Sequence, residues 1–158
     1  MQTPYGYWST TSFPPRRRGG FSLPELVLVM TIVGLALGGA LPAAFRLRDR
    51  MAVVGARESV VGVFHKARIE AVAFGGASIV LRVSPPGAEL WSAGALRSSV
   101  PLGLDLEVEM TLSSGRERVE IFFDALGLGR VASQTIRFLR NGSRSGLVVS
   151  SLGRVIRE

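Results

Sequence analysis

The amino-acid sequence predicts an α+β protein in which a long N-terminal helix, transmembrane in its first half, packs on a small antiparallel β-sheet domain. The first observation is an apolar stretch over residues 21–45 that contains a single charge. The second is a helical spacing of apolar residues after that stretch, and the third is a series of short alternating segments in the second half of the chain. Since 158 residues with 47% hydrophobic content supply one modest core, we expect one globular domain with an appended segment.

The apolar stretch from Phe21 to Phe45 contains 25 residues and one charged side chain, Glu25. An α-helix needs about 20 apolar residues to cross the hydrocarbon of a bilayer, so this segment is a candidate for a single membrane crossing. A secretory signal peptide cleaved near the small residues of 36–44 is the alternative. The continuation into a charged helical pattern, without an intervening cluster of turn residues, favours one unbroken helix.

Four residues in this stretch would weaken a helix in water: Gly34, Gly38, Gly39 and Pro42. Within a membrane bundle, small residues spaced by four allow helices to approach closely, and a proline can be accommodated. These residues therefore predict a flexible or closely packed stretch. Simple helix packing, with no role in assembly, is the alternative.

An amphipathic helix is predicted to follow, over residues 46–74. Apolar or small residues recur at gaps of three and four: Val53, Ala56, Val60, Phe64, Ala67, Ala71 and Phe74. Gly75-Gly76 supplies a plausible stop, so we expect one helix from Phe21 to about Phe74. The only histidine, His65, lies beside the packing face, and we interpret it as structural.

Residues 77–158 are predicted to form antiparallel strands. We expect a hairpin around Pro85-Pro86-Gly87, and a half-buried strand from Leu104 to Met110 with an acidic outer face. Another strand is predicted over 119–123, after a turn at Ser113-Ser114-Gly115. A further strand is predicted to begin at Ile136 and to end at Asn141-Gly142, and a final pair of strands to cover 147–150 and 154–157.

Catalysis finds little support in the sequence. Cysteine is absent and there is one histidine, which excludes thiolate nucleophiles and histidine-rich zinc sites. No glycine-rich phosphate loop or nucleophile–base pair has a recognisable spacing. We therefore predict no enzyme activity, no catalytic residue, no metal, no cofactor and no small-molecule substrate.

The run Arg16-Arg17-Arg18-Gly19-Gly20, followed by Phe21-Ser-Leu-Pro-Glu25 and an apolar helix, resembles the type IV pilin family. The resemblance implies a basic leader that a prepilin peptidase removes by cutting between Gly20 and Phe21, and N-methylation of Phe21. It also implies a single-pass protein of the bacterial inner membrane, with a periplasmic C-terminal domain, that assembles with other pilin or pseudopilin subunits into a filament. The implied segments are a leader over 1–20, a transmembrane and assembly segment over 21–45, an amphipathic continuation over 46–76 and a sheet domain over 77–158.

Glu25 matches the glutamate that pilins carry near the mature N-terminus. A carboxylate in apolar surroundings costs a few kcal/mol unless it is neutralised, and cleavage creates a positive α-amine at Phe21. The resemblance implies that such a pairing, with a neighbouring subunit, sets the register of each incoming subunit, and Pro42 also matches a common pilin position. An N-terminal capping box, Ser22-x-x-Glu25, is a compatible alternative.

Three segments of the C-terminal half resemble the GspH/FimT group of minor pseudopilins and minor pilins. They are Ile121-Phe-Phe-Asp-Ala-Leu-Gly127, Gln134-Thr-Ile-Arg-Phe-Leu139 and Gly153-Arg-Val155. The resemblance implies a structural subunit of a type II secretion pseudopilus, acting in protein secretion, or of a type IV pilus. The sequence does not separate these two systems.

The positive charge of the C-terminal third raises DNA binding as an alternative function. The formal net charge is +7, and it becomes +4 once residues 1–20 are removed. Residues 128–158 contain six arginines against one acid, and Arg140, Arg144, Arg154 and Arg157 are the candidates for neutralising phosphates during DNA uptake. Strand parity, however, places Arg154 and Arg157 on opposite faces, which favours a solvated strand.

Overall fold

The computed structural model describes residues 20–104, 106–130 and 133–158, and the chain divides into two units between Gly39 and Ala40. The described residues form one helix, α1 (Leu23–Phe74), and nine strands. The strands are β1 (Gly76–Arg82), β2 (Gly87–Ser92), β3 (Ala95–Pro101), β4 (Glu109–Leu112), β5 (Arg118–Asp124), β6 (Gly129–Arg130), β7 (Gln134–Arg140), β8 (Ser143–Val149) and β9 (Val155–Arg157). The predicted fold class, a long apolar helix packed on antiparallel sheet, is confirmed.

Helix α1 begins two residues after the predicted start and ends where predicted, at Phe74. Its most apolar 18-residue window has a mean hydropathy of 2.2 and no buried residue, so it is long and apolar enough to cross a membrane. Gly75 ends the helix in the left-handed conformation, with φ of 80°, which a residue without a Cβ adopts at little cost.

The C-terminal half of α1 packs on the sheets with the face that the sequence predicts. The buried residues are Val53, Ala56, Val60, Val61, Val63, Phe64, Ala67 and Ala71. The ring of Phe64 meets that of Phe123 edge-on, at 6.2 Å between centroids. The prediction was wrong for Phe74, which is 54% exposed and lies under the guanidinium of Arg97 at 4.8 Å from the ring centroid. The helix ends at Phe74, so this residue extends beyond the buried face.

The first sheet has the strand order β3-β2-β1-β5-β6, and every neighbouring pair is antiparallel. The predicted hairpin is present as β1 and β2. Ala77, Ile79 and Leu81 of β1 are buried and belong to the same core as the helix residues. Strand β3 was not predicted, because most of its residues are exposed and it shows no alternation of buried and exposed side chains.

The second sheet has the order β4-β7-β8-β9, again antiparallel throughout. Asn141 and Gly142 form the tight turn between β7 and β8, with φ of 44° and 84°, as expected for a two-residue hairpin loop. Ile136, Phe138 and Leu147 point into the core, so the helix is buried against residues from both sheets. The predicted C-terminal strand pair is confirmed as β8 and β9.

The predicted strand from Leu104 to Met110 is the main correction to the fold. Only its last two residues belong to a strand, β4; Leu104 is 86% exposed, and Asp105 lies outside the described residues. The backbone amides of Leu102 and Val108 donate to the carbonyls of Pro86 and Leu102, which makes a loop instead. Glu107 has a φ of 51°, in the left-handed region, so strand geometry stops there. Alternating polarity alone could not reveal this loop.

Candidate assembly segment and C-terminal arginines

The predicted cut lies at an exposed point just before the helix. Gly20 and Phe21 are exposed and precede the first helical residue, Leu23. Phe21 keeps 79% of its surface open, and an added Cβ at Gly20 would meet nothing within 4 Å. Both residues of this peptide bond therefore lie outside the helix and are exposed. The rest of the expected leader, residues 1–19, lies outside the described residues.

Glu25 lies in the first turn of α1 and is exposed. Its Oε2 accepts from the backbone N–H of Ser22 at 3.5 Å, and Leu26 donates to the Ser22 carbonyl at 3.1 Å. This is half of the capping box that Ser22 and Glu25 predict. The contact is long for a hydrogen bond, so the carboxylate keeps the capacity to accept from another donor.

Gly34 and Gly38 lie within α1, where the chain itself does not require their small size. A Cβ added at either position would meet nothing within 4 Å. Pro42 also lies inside the helix and has no N–H for the usual bond to the residue four positions earlier, Gly38. Inside the described chain, Gly34 and Gly38 therefore lie where no neighbouring atom requires a glycine.

Arg140 and Arg157, two of the four candidate arginines, are bound within the chain. Arg140 is only 10% exposed: its Nε lies 2.9 Å from Oδ1 of Asp49 on α1 and its Nη2 donates to Glu107 at 2.8 Å. Arg157 donates to Glu58 on α1 at 3.0 Å. Both therefore join the second sheet to the helix.

Arg144 and Arg154 differ from the other two candidates. Both are exposed, and among the described residues neither has a carboxylate within ion-pair distance. The pairing of β7 with β8 places Arg144 on the face of the second sheet that points away from the helix. Arg154 immediately precedes β9, and its carbonyl accepts from the backbone N–H of Ser150, so the same alternation places it on that side. Arg157 lies on the opposite face, as strand parity predicts.

Sequence reasoning missed Arg137, which lies on the same outer face. It is exposed and pairs with Gly146 across β7 and β8, two residues from Arg144. The sequence did contain a signal for its position: Arg137 lies between the core residues Ile136 and Phe138, and neighbouring residues of a strand point to opposite faces. In the part of the chain that the structure describes, no three histidine, cysteine or acidic side chains come together in a group that could hold a metal.

Comparison with known proteins identifies the N-terminal segment. Residues 15–41 match the family described as "Prokaryotic N-terminal methylation motif". No curated protein and no solved structure matches the chain. The match supports type IV pilin-like processing by a prepilin peptidase and assembly with other pilins. The apolar helix fits membrane anchoring.

Proposed function

We propose that this chain is a minor pilin-like structural subunit, processed at Gly20–Phe21 and assembled through α1 into a type II secretion pseudopilus or a type IV pilus. The methylation motif over residues 15–41 carries the proposal. An exposed junction, a lone carboxylate at Glu25 in an apolar helix and a packed sheet domain on the same helix support it. The sheet domain is periplasmic and the leader cytoplasmic.

Mass spectrometry of the protein purified from membranes tests the processing step. We expect an N-terminal peptide that starts with methylated Phe21. Gly20→Leu should leave the leader attached without disturbing the fold, because nothing surrounds the Gly20 Cα. Thr31→Ala, which removes only a local hydroxyl-to-carbonyl bond, is the control that should be cut normally. An intact leader in the native protein, or a cut after Ala40, would contradict the proposal.

The orientation can be tested by labelling, because the chain contains no cysteine. Ser151→Cys lies at an exposed turn between β8 and β9. In spheroplasts, a membrane-impermeant maleimide should label it without lysis. Labelling that requires lysis would place the sheet domain in the cytoplasm and contradict the proposed topology.

The genes that adjoin this one would distinguish secretion from pilus function.

A DNA-binding minor pilin is the second candidate, and the outer face of the second sheet favours it. Arg137, Arg144 and Arg154 share this face and have no ion-pair partner in the described chain. Phosphate neutralisation gives a linear fall of log affinity with log salt, with a slope of about 0.9 per phosphate contacted. In this reading the arginines of the outer face, and not Arg157, make the contacts.

Duplex binding by the full chain in detergent, measured across a salt series, tests this candidate. Arg144→Ala and Arg154→Ala should each weaken binding and reduce the slope by about one. Arg157→Ala removes the same charge from the helix-facing side and is the matched control. Equal effects of all three variants would indicate attraction by net charge only, and binding that ignores salt would exclude the candidate.

A further inference from the structure

The face of the first sheet that points away from α1 contains a recess of about 560 Å³, which we call the outer recess. Val80 of β1 lines it and is only 2% exposed. Its neighbours Ile79 and Leu81 belong to the core under the helix, whereas Val80 points the other way and does not. Side chains of the outer face itself therefore cover Val80, so this face is a packed surface with a hollow in it.

Two aromatic side chains lie on opposite sides of the outer recess. Trp91 of β2 and Phe122 of β5 both pair with Ser78 of β1, one from each side. Neighbouring strands lie about 4.8 Å apart, so roughly 10 Å separates the two aromatic positions. A six-membered ring bound between them, over the small Ser78, would be about 5 Å from each, within the range at which rings stack. Both aromatic side chains are accessible, at 37% and 55% exposure.

Hydrogen bonds hold the indole of Trp91 in place. Its Nε1 donates to Oε2 of Glu89 at 3.2 Å, and Arg82 holds the same carboxylate oxygen at 3.2 Å. The ring is therefore oriented before any ligand arrives, which lowers the entropy cost of binding.

Three polar side chains line the outer recess together with the aromatic ones. Arg118 and Glu120 of β5 are exposed, and neither forms an ion pair with any residue that the structure describes. Arg118 supplies donors only and Glu120 supplies acceptors only, while the hydroxyl of Ser78 can do both. A few convergent polar groups beside apolar walls are typical of a small-molecule site of this volume.

The fixed charges around the outer recess balance. Strand pairing places three arginines and three carboxylates on this face: Arg82, Arg118, Arg130, Glu89, Glu120 and Asp124. A cationic ligand would meet the arginines and an anionic ligand would meet the carboxylates, so neither is electrostatically complementary. The site therefore suits a neutral ligand that carries both donors and acceptors.

We infer that the outer recess binds a neutral pyranose ring of a glycan. The apolar C–H faces of such a ring stack on Trp91 and Phe122, and its hydroxyls accept from Arg118 and donate to Glu120. The core of a protein interface is depleted in charged residues, whereas here an arginine and a glutamate line the recess itself, which favours a hydroxylated ligand over a second copy of this chain. This binding is additional to the proposed structural role and independent of it.

The fluorescence of Trp91 tests the inference. The chain contains two tryptophans, so Trp8→Phe leaves Trp91 as the only one. The full chain, in a detergent without a sugar headgroup, is titrated with cellotetraose, maltotetraose and chitotetraose. We expect at least one of these saccharides to change the emission of Trp91 saturably, because a stacked ring replaces water at the indole. No saturable change with any of the three would overturn the inference.

Variants made together with Trp8→Phe locate the binding. Phe122→Ala removes one stacking partner from an exposed position and should weaken the affinity about tenfold. Glu120→Ala removes an acceptor and should weaken it about fivefold. Phe74→Ala, on α1 and outside the recess, is the matched control and should bind as the parent does. Equal affinities of Phe122→Ala and Phe74→Ala would place the glycan elsewhere and overturn the inference.

The same signal tests the other occupants of the outer recess. Tetramethylammonium chloride and sodium phosphate should leave the emission of Trp91 unchanged, and a saturable response to either salt but to no saccharide would show an ion site instead. Dilution of the ligand-free chain at constant detergent concentration should also leave the emission unchanged. A dependence on protein concentration that Phe122→Ala abolishes would show that this face binds a second copy of the chain, and it would overturn the inference.

Discussion

Arg157 holds Glu58 in a two-pronged ion pair that joins the last strand to the helix. Its Nε lies 3.0 Å from Oε1 of Glu58 and its Nη2 lies 3.0 Å from Oε2. Arg57 adds contacts beside it, donating to the Oγ of Ser145 at 3.1 Å and to the carbonyl of Glu158 at 3.3 Å. Strand β9, only three residues long, is therefore attached to α1 as well as to β8.

This ion pair predicts a small pH-dependent loss of stability. The hydrogen bond from Arg157 lowers the pKa of Glu58 below its ordinary value of 4.5, with a further contribution from Arg57. A lowered pKa in the folded state means that the stabilisation is present above pH 4.5 and is lost as the pH falls through the folded value. The native chain should melt slightly above Glu58→Gln at pH 7, and the difference should vanish in acid. A difference that grows in acid would contradict the assignment.

The ion pair of Arg140 with Asp49 should matter more, because both side chains are largely buried, at 10% and 15% exposed. Arg140→Ala leaves the partly buried Asp49 carboxylate without its cation and with only the long hydrogen bonds from Asn141, so we expect it to cost about 3 kcal/mol in the free energy of unfolding. Arg144→Ala, in the adjacent strand but exposed, should change it by less than about 0.5 kcal/mol. Chemical denaturation of the detergent-solubilised chain measures both; equal effects would show that Arg140 is not a structural residue.

The packing of α1 on the sheets predicts a contrast between two phenylalanines of the helix. Phe64 is 1% exposed, so Phe64→Ala should destabilise the sheet domain by about 3–5 kcal/mol through the cavity that it leaves. Phe74→Ala should cost about 1 kcal/mol or less, since it loses mainly the contact with Arg97. The same denaturation series compares them. Similar losses would contradict the placement of Phe74 outside the core.

Alanine substitutions at two glycines with positive φ distinguish the cost of backbone strain from the cost of a steric clash. At Gly153, φ is 74° and an added Cβ would be 2.8 Å from Cε1 of Phe123, so Gly153→Ala should cost about 2–4 kcal/mol. At Gly142, φ is 84° but nothing lies within 4 Å, so Gly142→Ala should cost about 1 kcal/mol. Thermal unfolding of both variants gives the difference, and a larger loss at Gly142 would be inconsistent with the packing around Gly153.

The role proposed for Glu25 predicts a variant that is processed but not assembled. Glu25→Ala removes the carboxylate that would pair with a neighbour's α-amine. We expect its incorporation into filaments to fall about tenfold or more, while the leader is still removed and Phe21 is still the N-terminus. Ser22→Ala, which retains the backbone N–H that Glu25 accepts from, is the matched control. Mass spectrometry reports cleavage, and the sheared filament fraction reports incorporation. Normal incorporation of Glu25→Ala would reject the pairing.

The loop over 102–108 shows where reasoning from the sequence reached its limit. The alternation from Leu104 to Met110 predicted a strand, yet Arg140 donates to the carbonyl of Leu106 and to the carboxylate of Glu107 in the loop. The turn at Ser113-Ser114-Gly115 was predicted correctly, but it connects β4 of one sheet to β5 of the other. Side-chain polarity reports which residues face water, and it does not report which strand is the neighbour.

The sequence by itself determined the long helix, its apolar N-terminal half, most of its packing face and the motif that precedes it, because these features depend on residues within a few turns of each other. The tertiary structure decided the division of the strands into two sheets and the partners of the arginines. Arg140 and Arg157 are equivalent to Arg144 and Arg154 in the sequence, but the first two bind acids on a helix 91 and 99 residues away. Such long-range pairs depend on how the sheets lie against α1, which no local pattern encodes.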